Sequence, residues 1–231
     1  MNSYTLAVPI LTYIVIALAA YLLGSIPTGY LVGRVKGVDI RTIGSGNIGA
    51  TNAVRALGKP AGVFVLLADA FKGYAACALL APLIFNCLAP HFSGLAPHFH
   101  DEPAELQTRY DAMAGILAVL GHNYTCWLRF RGGKGIATSA GVFLALAPLA
   151  LAFAVGVWLL VFVLCRYVSV ASIAAAVTLP ATIWLTPNTL VLRIVTTALG
   201  LLAIAKHRSN IERLIRGTER RFGEKMQEAA K

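Results

Sequence analysis

The chain has 231 residues, of which 58% are hydrophobic and only 13% are charged, whereas an average soluble domain has about 25% charged residues. Twenty Lys and Arg residues against ten Asp and Glu residues give a net charge of +10. In so apolar a chain, this basic excess indicates membrane orientation and anionic partners rather than a nucleic-acid surface. The composition therefore excludes a soluble globular protein and predicts an all-α integral membrane protein.

Hydrophobic stretches along the chain predict seven transmembrane helices. The run from Gly135 to Cys165 would be roughly 46 Å long as one helix, which is too long for one comfortable crossing and short for two. A single long span would put the basic tail on the opposite side from the basic loops, so we expect a break at Ala147–Pro148 and two short spans. The predicted spans are 5–23, 61–85, 109–128, 136–147, 149–165, 167–185 and 189–205, within a single membrane domain over 1–231 that ends in a basic tail, 206–231. The N-terminus has no Lys or Arg before its first apolar run, so no cleavable signal peptide is expected.

The basic residues of the loops predict the orientation of the chain. With seven spans, the Lys and Arg residues after the first, third and fifth spans lie on the same side as the basic tail. The positive-inside rule then places the N-terminus on the outer side and the C-terminus in the cytoplasm. The long polar loop on the outer side, residues 87–110, has irregularly spaced histidines, and we assign it neither a metal nor another role.

The first cytoplasmic loop is rich in glycine and in short polar side chains. Successive glycines let backbone N–H groups converge on an anion, hydroxyl and amide groups add donors, and Arg41 or Arg55 supplies charge. Phosphate is the expected ligand, and the candidate residues are Gly44, Ser45, Gly46, Asn47, Thr51, Asn52 and Arg55. The loop also matches GxGxxG, but no strand precedes it and Asp69 falls inside a predicted span, so a dinucleotide-binding fold is rejected.

The loop after the third predicted span contains a second candidate site. Its sequence Gly132-Gly133-Lys134-Gly135 leads into a predicted helix, which places free N–H groups and the positive end of the helix dipole beside an ammonium group. This arrangement also favours phosphate. It is not a Walker A motif, because the residue after Lys134 is a glycine instead of Ser or Thr.

A third cluster begins directly after the last span. His207 is the only histidine predicted to share a side with both glycine loops, and it is therefore the candidate for acid/base chemistry. We expect Asn210, one helical turn further on, to orient it. The segment could also form a surface helix on anionic lipid. Within the membrane, Asp69 and Lys72 are spaced to neutralise each other, and Ser172 on the sixth span could face the site or pack against a neighbouring helix.

These motifs resemble the bacterial acyl-phosphate:glycerol-3-phosphate acyltransferase family, and the resemblance covers nearly the whole chain. The matching segments are Gly24-Ser-Ile-Pro27, Gly44 to Asn52, Gly132 to Gly135, Arg166-Tyr-Val-Ser169 and His207 to Leu214. The resemblance implies catalytic or substrate-binding roles for Ser45, Arg55, Lys134, Ser172, His207 and Asn210. Two departures are Thr125, where the family usually has proline, and Arg131, where it usually has lysine.

The resemblance further implies transfer of a fatty acyl group from acyl phosphate to the sn-1 hydroxyl of glycerol 3-phosphate. It also implies a bacterial inner membrane, with the N-terminus in the periplasm and the C-terminus in the cytoplasm. Acyl phosphate is a mixed anhydride with a good leaving group, so neither a cofactor nor a metal is expected. Membrane lipid is an expected partner, while nucleic acid and an obligate protein partner are not expected. His207 or a substrate phosphate could take the hydroxyl proton, and Ser45 could donate a hydrogen bond or act as a nucleophile, for which Asp39 is the only nearby acid.

Two other classes of membrane protein fit the sequence less well than an acyltransferase. A transporter for an anionic solute could use the same basic loops, but the chain has no two matching halves and its polar residues concentrate on one face. A lipid phosphatase or phosphotransferase would need a metal or a phosphomonoester substrate, and the aspartate clusters that bind such metals are missing. No histidine is followed by aspartate at the fifth position, so the HxxxxD signature of other glycerol-phosphate acyltransferases is absent.

Overall fold

The computed structural model describes residues 4–88 and 103–224. Their α-helices are α1 (Tyr4–Ser25), α2 (Thr28–Val35), α3 (Ala50–Leu57), α4 (Lys59–Ala75), α5 (Ala81–Leu88), α6 (Pro103–Asn123), α7 (Ile136–Leu146), α8 (Pro148–Cys165), α9 (Val168–Leu185), α10 (Leu190–Lys206) and α11 (Arg208–Ile215). Within these two ranges no residue forms a strand, which confirms the all-α class. Most of the outer loop predicted over 87–110 lies outside the described residues.

Four helical segments are long and apolar enough to cross a membrane, namely Ile10–Val35, Lys59–Leu88, Pro148–Cys165 and Val168–Leu185. A fifth is obtained when α10 and α11, which are bent by 51° with respect to each other, are counted together. These segments support an integral membrane protein. They confirm neither seven spans nor the side of either terminus, which remain predictions. The helix α6, which covers most of the predicted third span, has charged residues in its first turns and is not among these segments.

The long apolar run after Gly135 is interrupted at the predicted place. α7 ends at Leu146 and α8 begins at Pro148, which has no N–H to continue the preceding helix and is well suited to a first helical position. With 11 residues, α7 is roughly 17 Å long, about half of a bilayer core. The two-helix interpretation of this run is therefore confirmed, whereas its two membrane crossings remain a prediction.

The described residues form two compact units. The first unit takes in the residues up to Thr28 and those within Leu66–Pro148, with α1, α5, α6 and α7. The second takes in Gly29–Val65 and the residues from Leu149 onward, with α3, α9, α10 and α11. The helix α4 has residues in both. The single membrane domain predicted over 1–231 stays a prediction.

In the first unit, α1 packs along α6, and a π-helical segment (Ala76–Leu80) joins α4 to α5 beside them. The contact surface combines large residues such as Ile16 and Tyr110 with small ones, of which Ala20, Ala114 and Ala118 are fully buried. Small side chains let helix backbones approach closely in a membrane, where dispersion contacts replace the hydrophobic effect as the source of association. The first unit is therefore held by close helix packing.

In the second unit, a small core fixes the first glycine-rich loop. Ile40 in the loop and Ala53 on α3 are fully buried together with Val65. The sequence analysis did not predict α3, because the eight residues between Gly49 and Gly58 are too few to establish a helical period. The loop is consequently anchored at both ends and does not form the flexible turn that its glycines alone would permit.

Candidate functional site

Asn52 organises the first glycine-rich loop. Its Oδ1 atom accepts a hydrogen bond from the backbone N–H of Ser45 at 3.0 Å, and its Nδ2 atom donates to the carbonyls of Ile40 at 2.9 Å and Ile43 at 3.1 Å. Gly44 is required beside this amide, because its φ is +62° and an added Cβ would lie 2.4 Å from Oδ1 of Asn52. The Asn52 side chain is thus buried inside the loop, where its amide bonds to backbone groups, while the Ser45 side chain is exposed.

The two arginines of this region differ in their partners. Nη2 and Nε of Arg41 lie 2.6 and 2.9 Å from the Asp39 carboxylate. The hydrogen bonds from Arg41 lower the pKa of the Asp39 carboxyl to about 2, and the same contact raises the pKa of Arg41. Burial lowers the pKa of Arg55, while the negative charge of Glu219 opposes this shift. Arg41 is therefore already neutralised by a loop carboxylate, and Arg55 is the better candidate for an anion.

Glu219 is the centre of a polar cluster in the second unit. Its Oε1 atom accepts hydrogen bonds from Ser169 Oγ at 2.8 Å and from Asn210 Nδ2 at 2.7 Å, and its Oε2 atom accepts one from Arg213 Nε at 2.7 Å. The side chain is only 7% exposed. Burial raises the pKa of Glu219, but these three hydrogen bonds outweigh burial, so the pKa is lowered overall. The carboxylate stays ionised and holds Asn210 and Arg213.

The sequence indicated no role for Glu219. It lies nine residues after Asn210 and beyond the end of α11, so helical spacing cannot place it beside that residue. Ser169, its partner on α9, is 50 positions away in the chain. Only the return of the chain after α11 brings these groups together.

The residues that follow α11 fold back onto the α8–α9 turn. We call residues 218–224 the tail strap. The N–H of Phe222 donates to the carbonyl of Arg166 at 2.8 Å, and Nη2 of Arg166 donates to the carbonyl of Phe222 at 3.1 Å. The ring of Phe222 packs edge-on against Phe162 with centroids 5.5 Å apart, and the guanidinium of Arg221 lies over Tyr167. The strap thereby holds Glu219 in the second unit.

His207 occupies the bend between α10 and α11. Its Nδ1 atom lies 2.7 Å from the carbonyl oxygen of Ala203, and the residue is 3% exposed. Because a carbonyl only accepts, Nδ1 carries a proton, and in the neutral ring the lone pair is on Nε2. The sequence led us to expect Asn210 as the orienting partner. The Ala203 carbonyl orients the ring through Nδ1, and the Asn210 amide donates to Glu219. An orienting role of Asn210 for His207 stays a prediction.

The second glycine-rich loop has the predicted form of a turn that leads into a helix. The N–H groups of Gly132 and Gly133 donate to the carbonyls of Asn123 at 3.2 Å and His122 at 3.0 Å. Gly135, with φ of +81°, is the N-cap of α7, and no side chain caps this helix start. Lys134 follows Gly133 and is partly exposed. A helix start without a side-chain cap beside a lysine has the geometry of an anion site.

The predicted site residues thus fall into separate groups. Gly132, Gly133, Lys134 and Gly135 belong to the first unit, whereas Gly44, Ser45, Gly46, Asn47, Thr51, Asn52, Arg55, Ser172, His207 and Asn210 belong to the second. Ser172 is 3% exposed, and its Oγ atom accepts a hydrogen bond from Trp158 Nε1 at 3.3 Å, which leaves the hydroxyl proton to be donated. Gly49 N–H donates to Asn47 Oδ1 at 2.9 Å, so Asn47 also shapes the loop.

The fold and these clusters define an all-α integral membrane protein with two glycine-rich, cationic loops and a buried histidine. The sequence model of the glycerol-3-phosphate acyltransferase family matches residues 14–217, and the chain belongs to this family. This finding confirms the family and the acyltransferase class that the motifs predicted.

Individual members of the family are similar in sequence to this protein over nearly its whole length. The glycerol-3-phosphate acyltransferase of Trichlorobacter lovleyi is 44% identical over 203 residues, which cover 88% of this chain and 94% of that protein. The crystal structure of PlsY (YgiH), an integral membrane glycerol 3-phosphate acyltransferase, in its glycerol 3-phosphate form is 37% identical, with a TM-score of 0.77 and coverage of 91% of this chain and 96% of that one. Its lysophosphatidic acid form is also 37% identical, with a TM-score of 0.75 and coverage of 91% and 95%.

Proposed function

We propose that this protein transfers a fatty acyl group from acyl phosphate to the sn-1 hydroxyl of glycerol 3-phosphate, the first acylation step of phospholipid synthesis. The hydroxyl oxygen attacks the acyl carbonyl carbon, the new ester bond forms, and the anhydride C–O bond breaks to release phosphate. The products are 1-acyl-glycerol 3-phosphate (lysophosphatidic acid) and inorganic phosphate. The observation that carries this proposal is the presence of two cationic, glycine-framed loops, because both substrates carry a phosphate. The resemblance to a structure with bound lysophosphatidic acid supports the product.

The first unit supplies one phosphate site in this proposal. The N–H groups of Gly132 and Gly133, which were predicted as phosphate donors, are already used by the carbonyls of Asn123 and His122. Lys134 and the first backbone N–H groups of α7 therefore hold the phosphate of one substrate. The start of α7, which no side chain caps, supports this role, because its N–H groups and the helix dipole favour an anion.

The second unit supplies the other phosphate site. Arg55 provides its charge, because Arg41 is already paired with Asp39. The loop from Gly44 to Thr51 and the hydroxyl group of Ser172 provide further donors. Asn52, which was predicted as a direct ligand, instead positions the loop, since both its N–H groups are used by backbone carbonyls.

Ser45 donates a hydrogen bond and does not form an acyl-enzyme. A serine nucleophile of the triad type needs a histidine oriented by a carboxylate. Asp39, the acid nearest in the loop, accepts bonds from Arg41 through both carboxylate oxygens. Direct attack by glycerol 3-phosphate suffices, because phosphate is a good leaving group, and no cofactor or metal is required.

His207 takes the hydroxyl proton in this mechanism. The Ala203 carbonyl holds the proton on Nδ1, so Nε2 is the basic atom of the neutral ring. Asn210 and Arg213, both held by Glu219, frame the same segment. Backbone N–H groups of the glycine loops stabilise the developing oxyanion. We expect this chemistry on the cytoplasmic side of a bacterial inner membrane, because the positive-inside rule favours basic loops on that side.

The experiment that tests this function uses purified protein with palmitoyl phosphate and glycerol 3-phosphate. Lipid product and released phosphate are measured together, with palmitoyl-CoA as an alternative donor and a reaction without acceptor in parallel. We expect acceptor-dependent 1-acyl-glycerol 3-phosphate from palmitoyl phosphate alone. Product from palmitoyl-CoA would contradict acyl phosphate as the specific donor. Phosphate release without acceptor would favour a phosphatase. Folded protein that makes no product would contradict the proposed reaction and favour a transporter.

A further inference from the structure

Three ionisable side chains are buried together in the first unit. Asp69 and Lys72 lie on α4 and His122 lies on α6, with side-chain exposures of 3%, 5% and 5%. Nζ of Lys72 is 2.8 Å from Oδ1 of Asp69, which in turn is 3.6 Å from Nδ1 of His122. Thr28 Oγ1 donates to Asp69 at 3.0 Å, and Lys72 donates to the carbonyl of Ile26 at 2.9 Å. The sequence predicted the Asp69–Lys72 pair but not the addition of His122.

This cluster is poorly explained by stability alone. Taking charges out of water is costly, and apolar residues of the same size often stabilise a buried site as well as an ion pair does. A buried pair does fix geometry, because each partner must stay where the other can reach it. The cluster ties the end of α1 to α4 and α6, so it defines the place of the His122 ring.

His122 contacts the second glycine-rich loop through both its backbone and its ring. Its carbonyl accepts the N–H of Gly133 at 3.0 Å. Its Nε2 atom lies so close that a Cβ added to Gly133 would be 2.0 Å away. The neighbouring Gly132 N–H is held by the carbonyl of Asn123 at 3.2 Å. The turn therefore rests on the last residues of α6, and Lys134 follows directly.

We propose that the buried cluster of Asp69, Lys72 and His122 positions the Gly132–Gly135 turn, and that His122 is a positioning residue for phosphate binding at Lys134. This inference rests on the proposed function of that turn. Oδ1 of Asp69 lies 3.6 Å from Nδ1 of His122, beyond direct hydrogen-bond distance, so the carboxylate acts on the imidazole through its charge. The imidazole and the carbonyl of His122 set the backbone of Gly133. Lys134 and the first N–H groups of α7 are thereby held in the conformation that binds the phosphate.

A double-mutant cycle between His122 and Lys134 tests this inference. Steady-state kinetics with palmitoyl phosphate and glycerol 3-phosphate are measured for His122→Ala, Lys134→Ala and the double variant. We expect His122→Ala to raise KM about tenfold for the same substrate as Lys134→Ala, with kcat changed less than about twofold. Since the ring acts through the turn that carries Lys134, the rise in KM of the double variant should be smaller than the product of the two single effects.

Different failures of this experiment have different meanings. An unchanged KM in His122→Ala, or effects that multiply fully in the double variant, would overturn the positioning role while leaving the phosphate site of Lys134 intact. An unchanged KM for both substrates in Lys134→Ala would instead remove the proposed function of the turn, and the positioning role with it.

Two further variants guard against effects of folding. His122→Asn keeps an N–H group for Asp69 but has no ring edge against Gly133, and we expect an intermediate rise in the same KM. A wild-type KM in this folded variant would contradict the inference. Cys77→Ala is the matched control, because Cys77 is 1% exposed in the same unit and bonds to the Asp111 carbonyl away from the turn. It should leave both KM values unchanged.

Discussion

The Gly132–Gly135 turn and the cluster around Glu219 rest on supports of different kinds. The turn is held by the last residues of α6 and by ionisable groups buried between helices. The tail cluster of Ser169, Asn210 and Arg213 depends on Glu219, which is held by the tail strap after the last helix. Buried helix contacts open only with most of the fold, whereas a terminal segment can open by itself. The turn is therefore expected to be a fixed part of the site, and the tail cluster its more sensitive part.

The largest effect is expected for His207→Ala. Loss of the basic Nε2 atom should lower kcat by about a hundredfold or more, because general-base catalysis typically contributes 10² to 10⁴. Turnover at saturating palmitoyl phosphate and glycerol 3-phosphate measures this effect. Wild-type turnover in the folded variant would contradict this role. It would indicate that a substrate phosphate accepts the proton and that His207 is a binding residue.

A smaller effect is expected for Glu219→Gln. The amide keeps the size of the carboxylate but loses the charge that holds Arg213, so kcat/KM should fall by about tenfold, as expected when a hydrogen bond to a charged group is lost. Glu219→Asp is the control that keeps the charge, and it should recover part of the activity. Equal kcat/KM in wild type and Glu219→Gln would show that the tail cluster does not need its carboxylate.

Glu219 also predicts a pH dependence of the tail. Its pKa is lowered from 4.5 in the folded protein, so its stabilising contribution is complete above 4.5 and is lost as the pH falls through the lowered value. Proteolytic cleavage of the tail strap should therefore accelerate at acid pH in the wild type. In Glu219→Gln the strap should be cleaved quickly at neutral pH as well. A strap that stays protected at neutral pH in this variant would contradict the anchoring role.

The smallest effect is expected for Arg41→Ala. Its guanidinium is exposed and bonded to Asp39, so its removal should change kcat and both KM values by less than about twofold. The same assay with Arg55→Ala provides the contrast, since Arg55 is expected to hold a phosphate. A tenfold rise of either KM in Arg41→Ala would mean that Arg41 releases Asp39 when substrate binds.

The sequence predicted those features that depend on local pattern. Proline marked the break before α8, glycines marked both loops, and the motifs identified the family. It did not predict α3, the inward role of Asn52, the Glu219 cluster or the contact of His122 with Asp69. These features depend on hydrogen bonds and packing between distant residues, such as Ser169 and Glu219, which are 50 positions apart. Spacing along one helix contains no information about such pairs.

The most direct test of this account compares Lys134→Ala with Arg55→Ala and measures KM for both substrates in each. If each loop holds the phosphate of one substrate, one variant should raise KM for acyl phosphate and the other KM for glycerol 3-phosphate. Loss of a hydrogen bond from a charged group corresponds to about tenfold or more in each case. A rise in KM for the same single substrate in both variants, with the other KM unchanged, would contradict the assignment of one phosphate to each loop.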